Sequence, residues 1–242
     1  DIDSFKSLCQ KHNLQIIEDA ACAIGSEYKG QMIGSHSDLV CFSFHPRKVI
    51  TTGDGGMIST SNKKFKDRLK RLRKHAMSVS DYERHNSQEI LFEDHLEIGY
   101  NYRMTDIQAS VGIEQLKKLD FILNRRREIA KIYIEGLKEI SCIILPKDKN
   151  GFKTNYQSFS IFLKKSSPIK RNELMKILSS KGIATRRGIM NAHLETAYKK
   201  NKIKLPVSEN YYKNSIIIPL YSSLKNDQIY YILHEVKKLL IT

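Results

Sequence analysis

Three short apolar runs, each closed by carboxylate, hydroxyl or glycine residues, constrain the first third of the chain most strongly. LQIIED (14–19) reads as a buried strand carrying Glu18 and Asp19 at its C-terminal end, and DLVCFSF (38–44) and GMIST (56–60) read as two more strands. Residues 62–76 then change period: Phe65, Leu69, Leu72 and Ala76 recur three or four apart, as on one face of a helix. Buried strands alternating with helices predict an α/β sheet, and ligands of such sheets gather at the carboxyl ends of the strands.

The polar stretch 77–100 reads as a long irregular loop, a type that is usually functional or mobile. Thr105 and Gln108 have the spacing of a helix capping box. From there Ile107, Val111, Leu116, Leu119 and Ile122 carry an amphipathic pattern into RRREIAKIYIEGLKEI (125–140), which together read as a long connecting helix. After Pro146 and Gly151 the pattern restarts as strand 157–163, helix 171–182, strand 215–220 and helix 226–240. The expected division is a large α/β domain over 1–140 and a smaller C-terminal α+β domain over 141–242.

Composition narrows the function classes. The 242 residues are 40% hydrophobic and 28% charged, as in ordinary globular proteins. No apolar stretch approaches the roughly 20 residues that cross a bilayer, and DIDSFKSLCQKHN at the start is polar throughout, unlike a secretory signal. Cys9, Cys22, Cys41 and Cys142 form neither a CxxC pair nor an even ladder, which suits a reducing cytoplasm and speaks against a zinc or disulfide scaffold. His75, His85 and His95 are too widely spaced to read as one metal site, and no HExxH occurs. The formal charge of +15 admits nucleic acid, an anionic membrane or a phosphorylated small molecule as partner. The densest basic runs, 66–75 and 124–131, fall on helical periods with Leu or Ile between them and read as solvated helix faces. A nucleic-acid role therefore rests on charge alone, and it predicts binding that falls steeply with salt.

The richest segment chemically is FSFHPRKVITTGDGGMI (42–58). Lys48 follows a buried strand, beside Arg47 and ahead of Gly53, Gly55 and Gly56. A lysine amine attacks carbonyls when burial and a neighbouring cation favour its neutral form. Ser43 can offer a hydroxyl to a phosphate, and the glycines permit close backbone approach. By spacing alone Lys48 reads as a surface lysine before a glycine turn, and Asp19 as a helix N-cap. Taken together, a strand-end carboxylate followed by the small residues AACAIG and a lysine opposite form the arrangement pyridoxal phosphate needs. The carboxylate keeps the ring nitrogen protonated and the lysine forms the Schiff base.

At these residues the chain resembles a known family. IIEDAACAIGS, FSFHPRK with TTGDGG, and GYNYRMTDIQASVGIEQLKKLD follow the motif order of the DegT/DnrJ/StrS sugar aminotransferases. Those enzymes use pyridoxal 5'-phosphate on the aspartate aminotransferase fold, type I, and the likeness runs from Ile16 through the C-terminal helix. It implies that residues 1–140 form the C-terminal part of a cofactor-binding large domain with a mainly parallel sheet, plus its connecting helix. By the same resemblance Lys48 is the Schiff-base lysine and the acid/base of the proton shift, Asp19 the partner of the pyridinium, and Ser43 a phosphate ligand. Asn101, in GYNYR, is similar to the asparagine that reaches the cofactor phosphate of a neighbouring subunit, which implies a homodimer. His45 and Arg103 are candidate substrate contacts. The presence of the lysine points to the aminotransferase branch, since the dehydratase branch carries histidine there.

Three departures stand out. Cys22 occupies the position beside the cofactor's ring oxygen where the family usually carries Gln or His, and a thiol is a weaker donor. GIATRRGIMNAHLETAY (182–198) resembles the substrate segment, with His193 as a candidate contact, but lacks the Tyr-Pro often seen before that histidine. Within it Arg186 and Arg187 either meet a diphosphate through charge-assisted bonds or are simply exposed. Finally, only thirteen residues precede Leu14, whereas the family has a further N-terminal segment there. The chain thus reads as the C-terminal portion of a family member, expected to bind the cofactor weakly and to aggregate through an open sheet edge. The implied activity is transfer of an amino group from a donor such as glutamate to a nucleotide-linked keto-sugar, of the 4-keto-6-deoxy type used in bacterial surface polysaccharides. A non-catalytic remnant of the family is the rival reading.

Overall fold

In the computed structural model, which describes residues 1–79, 81–201 and 203–241, the chain divides into two units, Asp1–Leu119 and Asp120–Thr242. The first opens with α1 (Ile2–His12), where the Asp1 side chain accepts from the Ser4 amide and Asn13 ends the helix in the left-handed region at φ 50°. Asparagine tolerates that conformation better than most residues. β1 (Glu18–Asp19) follows, then a hairpin of β2 (Glu27–Tyr28) and β3 (Gln31–Met32). Its turn residues Lys29 and Gly30 both have positive φ, 49° and 78°, as a two-residue turn of the primed type requires.

β4 (Val40–Ser43) pairs parallel with β1, Asp19 beside Cys41, and antiparallel with β5 (Gly56–Ser59), Ser43 opposite Gly56. This sheet is therefore mixed, in the order β1-β4-β5. The apolar run 14–19 is not the buried strand its composition suggested. Only Glu18 and Asp19 join the sheet, and Leu14 and Ile17, which precede them, are 59% and 67% exposed. β5 pairs as expected, yet its Met57 and Ile58 are exposed too.

Asn62 caps α2 (Lys63–Leu72) by accepting from the Lys64 and Phe65 amides. The polar stretch 77–100 contains a short helix, α3 (Asp81–Asn86). α4 (Asp106–Lys117) starts on the expected capping box of Thr105 and Gln108. The long helix anticipated from there is broken at Lys118, whose amide bonds Gln115 O at 3.1 Å and tightens the last turn.

α5 (Leu119–Leu137) then begins anew, with Ile122, Leu123, Ile129, Ala130, Tyr133 and Leu137 buried at helical spacing. The expected connector is thus a core helix of the second unit. After β6 (Ile143–Ile144) and the short β7 (Phe152–Lys153) come β8 (Phe159–Leu163), α6 (Arg171–Ser180), β9 (Arg186–Arg187), α7 (Pro206–Asn214), β10 (Ser215–Ile218) and α8 (Asn226–Leu240). The sheet runs β6-β8-β10-β9, antiparallel at every pairing. β8 alternates Phe159, Ile161 and Leu163 inward, the period of two that a one-faced sheet demands. Leu174 and Leu178 of α6 and Ile229, Leu233 and Val236 of α8 cover that face. A Cβ on Gly136 would fall 2.8 Å from Leu233 Cδ2, so α5 and α8 pack closely there and a larger residue would displace the Leu233 side chain.

Arg126 is the polar clamp of this unit. Its guanidinium donates to Tyr156 O (3.0 Å), Gln157 O (2.9 Å) and Leu220 O (3.1 Å). Burial pushes its pKa down to about 10, which leaves it charged at neutral pH and strengthens each of these bonds. Tyr133 Oη likewise donates to Pro219 O at 2.8 Å, and burial raises its pKa. Among the described residues no helix is long and apolar enough to cross a membrane.

Two outcomes follow for stability. Arg126→Met keeps the apolar stem but strips three buried carbonyls of their donor; urea unfolding should show a loss of about 2 kcal/mol or more. Gly56→Ala places a Cβ 2.8 Å from the Phe42 carbonyl oxygen. Because that neighbour is backbone, the β4–β5 pair should loosen at a cost of about 1–3 kcal/mol, read as a lowered melting temperature.

Candidate functional site

Because β1 and β4 run parallel, Asp19 and Ser43 emerge at the same end of the sheet. The pairing continues one step further, with the Ala20 amide on Cys41 O at 2.8 Å. Asp19 Oδ1 then accepts from the Ala21 amide at 3.0 Å and folds the chain into the turn that carries Cys22. Asp19 is thus the start of a turn rather than the cap of a helix.

Beyond Ser43 a β-turn forms over 45–48, with Pro46 in the position where a fixed φ is favoured and the Lys48 amide on His45 O at 3.0 Å. The Arg47 amide donates to His45 Nδ1 at 3.3 Å. This turn sends the Lys48 side chain back towards the neighbouring strand end, where Nζ donates to Cys22 Sγ at 3.0 Å. Val49 and Ile50, 6% and 2% exposed, anchor the loop from below.

The rest of the loop is tied to a single residue. Phe44 O accepts from Thr51 Oγ1 (2.8 Å) and the Thr52 amide (3.1 Å), while the Phe44 amide donates to Gly55 O (2.8 Å). Thr52 Oγ1 donates to Asp54 O at 2.7 Å, and Gln108 Nε2 of α4 reaches the same carbonyl at 3.0 Å. Gly55 sits at φ 149° with no room for a side chain, since a Cβ would lie 2.6 Å from Thr52 Oγ1. In the sequence Gln108 reads only as a helix cap, and Thr51 and Thr52 only as part of TTGDGG; their bracing of this loop was not legible, since the Gln108 contact spans 54 positions.

Asp19, Cys22, Ser43, His45 and Lys48 therefore share one end of the sheet. Asp19 is exposed, Ser43 and Lys48 half-buried, and Ser43 Oγ accepts from the His45 amide at 3.4 Å. Asn101 lies instead on an extended strip beside the end of α2, with the Tyr100 amide on Leu72 O, the Tyr102 amide on Arg73 O and a bridge between Lys74 and Asn101. Both Asn101 and Arg103 are exposed. The basic run of α2 is partly neutralised, for Arg68 and Arg71 grip Glu97 at 2.8 and 2.7 Å and hold its carboxyl below the usual range.

Within the second unit both arginines of β9 are exposed, and Arg187 donates to Tyr212 Oη and lies 5.1 Å from that ring's centre. His193 is nearly buried, and its Nε2 is 3.3 Å from Glu209 Oε1. The Leu205 amide (3.0 Å) and His193 together lower the Glu209 pKa. Among the described residues no group of three His, Cys, Asp or Glu could hold a metal ion.

Comparison with known proteins gives these residues a context. Residues 1–237 match the DegT/DnrJ/EryC1/StrS aminotransferase family. The chain is 33% identical over 98% of its length to the UDP-4-amino-4,6-dideoxy-N-acetyl-beta-L-altrosamine transaminase of Campylobacter jejuni, covering 64% of that protein. It is 34% identical over 98% of its length to the GDP-perosamine synthase of Escherichia coli O157:H7, covering 62% of it. Its fold matches Helicobacter pylori PseC, an aminotransferase of pseudoaminic acid biosynthesis, with a TM-score of 0.90 and 26% identity over 99% of this chain and 63% of that one. The chain thus spans less than two thirds of the length of each relative. By sequence along almost its whole length and by fold, the chain belongs to the DegT/DnrJ/EryC1/StrS aminotransferase family.

Proposed function

We propose that this chain carries the catalytic lysine and half of the cofactor pocket of a sugar aminotransferase. In this reading the enzyme passes an amino group from a donor such as glutamate to a nucleotide-linked keto-sugar of the 4-keto-6-deoxy type. The observation that carries the reading is the return of Lys48 Nζ to within 3.0 Å of Cys22 Sγ, at the sheet end that also presents Asp19 and Ser43.

The donor set fits pyridoxal 5'-phosphate, the cofactor of this family. An amine, an exposed carboxylate with one oxygen already oriented by the Ala21 amide, and a hydroxyl with a long contact to the His45 amide are polar groups open to a ligand. When bound, the cofactor supplies an aldehyde that takes up amines and a protonated ring that withdraws electrons. Asp19 would hold the proton at the ring nitrogen, and the Ala21 bond fixes the carboxylate for that task. Ser43 would donate its hydroxyl to the phosphate. Lys48 Nζ would bind the aldehyde carbon when no substrate is present and otherwise accept and return the proton at the carbon bearing the amine. Cys22, in contact with Nζ, would position that amine.

His45 and Arg103 are proposed substrate contacts, and so are Arg187 and His193, the latter held by Glu209. Two copies working together are supported by the exposed position of Asn101 and by the exposed Ile107 and Val111, one turn apart on α4. None of the four cysteines forms a disulfide, which is compatible with action in the cytoplasm.

Intact mass after borohydride reduction with pyridoxal 5'-phosphate tests the reading. The chain should gain one cofactor adduct, and Lys48→Ala should gain none. An adduct retained in Lys48→Ala, or none in the parent chain, contradicts it. Asp19→Asn should keep the adduct while slowing amine uptake from glutamate about 100-fold, measured by single-turnover absorbance.

A further inference from the structure

The second unit holds a cleft of about 570 Å³ whose lining includes Lys164, Lys165, Lys170, Arg171, Arg187 and Lys213 but no Asp or Glu. Lys164 is committed to Ser141 O at 2.7 Å, and Lys213, after the Leu205 amide and His193, helps lower the pKa of Glu209, which does not line the cleft.

Arg171 makes this more than a basic surface. It is only 7% exposed, yet its Nε donates to Asn172 Oδ1 at 2.7 Å and its Nη1 reaches Ser215 O only at 3.4 Å. A buried guanidinium ordinarily meets an acid, because an uncompensated charge away from water is costly. Here a second cation approaches instead: the Arg171 and Arg187 guanidinium carbons lie 5.9 and 5.1 Å from the centre of the same Tyr212 ring. Burial, and then Arg187, hold the Arg171 pKa below its ordinary value. The cleft wall also contains the start of α6, where the N-cap Lys170 gives no side-chain acceptor to the first-turn amides. Those amides and the helix dipole favour an anion at the same place. Glu173, the acid of that turn, is exposed and does not line the cleft.

We propose that this cleft binds the phosphate groups of a small molecule, a phosphate monoester or a diphosphate, through Arg171 and Arg187 with Lys165 and Lys213 at its rim. Two guanidiniums present paired donors that match phosphate oxygens, and the surplus of cations exceeds what a single carboxylate would neutralise. The sequence left Arg187 open between a diphosphate contact and simple exposure; Arg171 and Tyr212 now give the first option a built site. The cleft shares Arg187 with the proposed substrate contacts and rests on that part of the proposed function; it does not depend on the chemistry of Lys48, so loss of the Lys48 adduct would leave diphosphate binding standing.

Calorimetric titration of the full chain with inorganic phosphate, inorganic diphosphate, uridine diphosphate and uridine tests it. Diphosphate should bind at one site, uridine should not bind, and Arg187→Ala should weaken diphosphate at least tenfold, with partial recovery in Arg187→Lys. Tighter binding of uridine diphosphate than of diphosphate would assign the site to a nucleotide, and equal binding to a free anion; both support the proposal. Should Arg187→Ala unfold, as judged by circular dichroism, the Lys165→Ala/Lys213→Ala pair decides, with the same direction expected. Absence of saturable binding by either diphosphate, or unchanged affinity in the folded variants, overturns it.

Discussion

The parallel pairing of β1 with β4 is the constraint on which the site depends. Two bonds, Glu18 N to Leu39 O and Ala20 N to Cys41 O, align strands that are otherwise short, and they bring a carboxylate and a hydroxyl out at one end. An antiparallel pair would have put Asp19 and Ser43 at opposite ends. Everything downstream of Ser43 then serves to return one amine to that end. The proline turn reverses the chain, Val49 and Ile50 pin it, and Phe44 gathers the hydrogen bonds of the threonine–glycine loop.

The two units are stabilised differently. The second buries a continuous core between three helices and an antiparallel sheet, with Arg126 and Tyr133 satisfying carbonyls that the loops leave over. In the first unit few large apolar side chains are buried, and Leu14, Ile17, Ile107 and Val111 stand exposed. Its order comes more from local devices: the Asn62 cap, the Thr105–Gln108 box, the Lys29-Gly30 turn and the Glu97 clamp on α2. A site held by such devices is sensitive to single backbone contacts, as at Gly55 and Gly56.

What could be read from the sequence follows from what each signal encodes. Residues 226–240 form α8 as expected because fifteen residues of helical period outweigh any local ambiguity. The capping box was legible because its partners are three residues apart. LQIIED misled because an apolar run does not report which of its residues enter a strand, here Glu18 and Asp19 alone. β9 consists of two arginines and has no apolar pattern to find, although Pro206 at the start of α7 was a usable signal. Motif order singles out Lys48, Asp19 and Ser43 as candidates, whereas the contact of Nζ with Cys22, 26 residues away, and the seating of His193 on Glu209 belong to the fold alone.

A crystal structure of the chain soaked with pyridoxal 5'-phosphate would test the central claim most directly. The account predicts density continuous from Lys48 Nζ into the cofactor, the Asp19 carboxylate at the ring nitrogen and the Ser43 hydroxyl on the phosphate. Cofactor bound elsewhere, with Lys48 Nζ still resting on Cys22 Sγ, would contradict it.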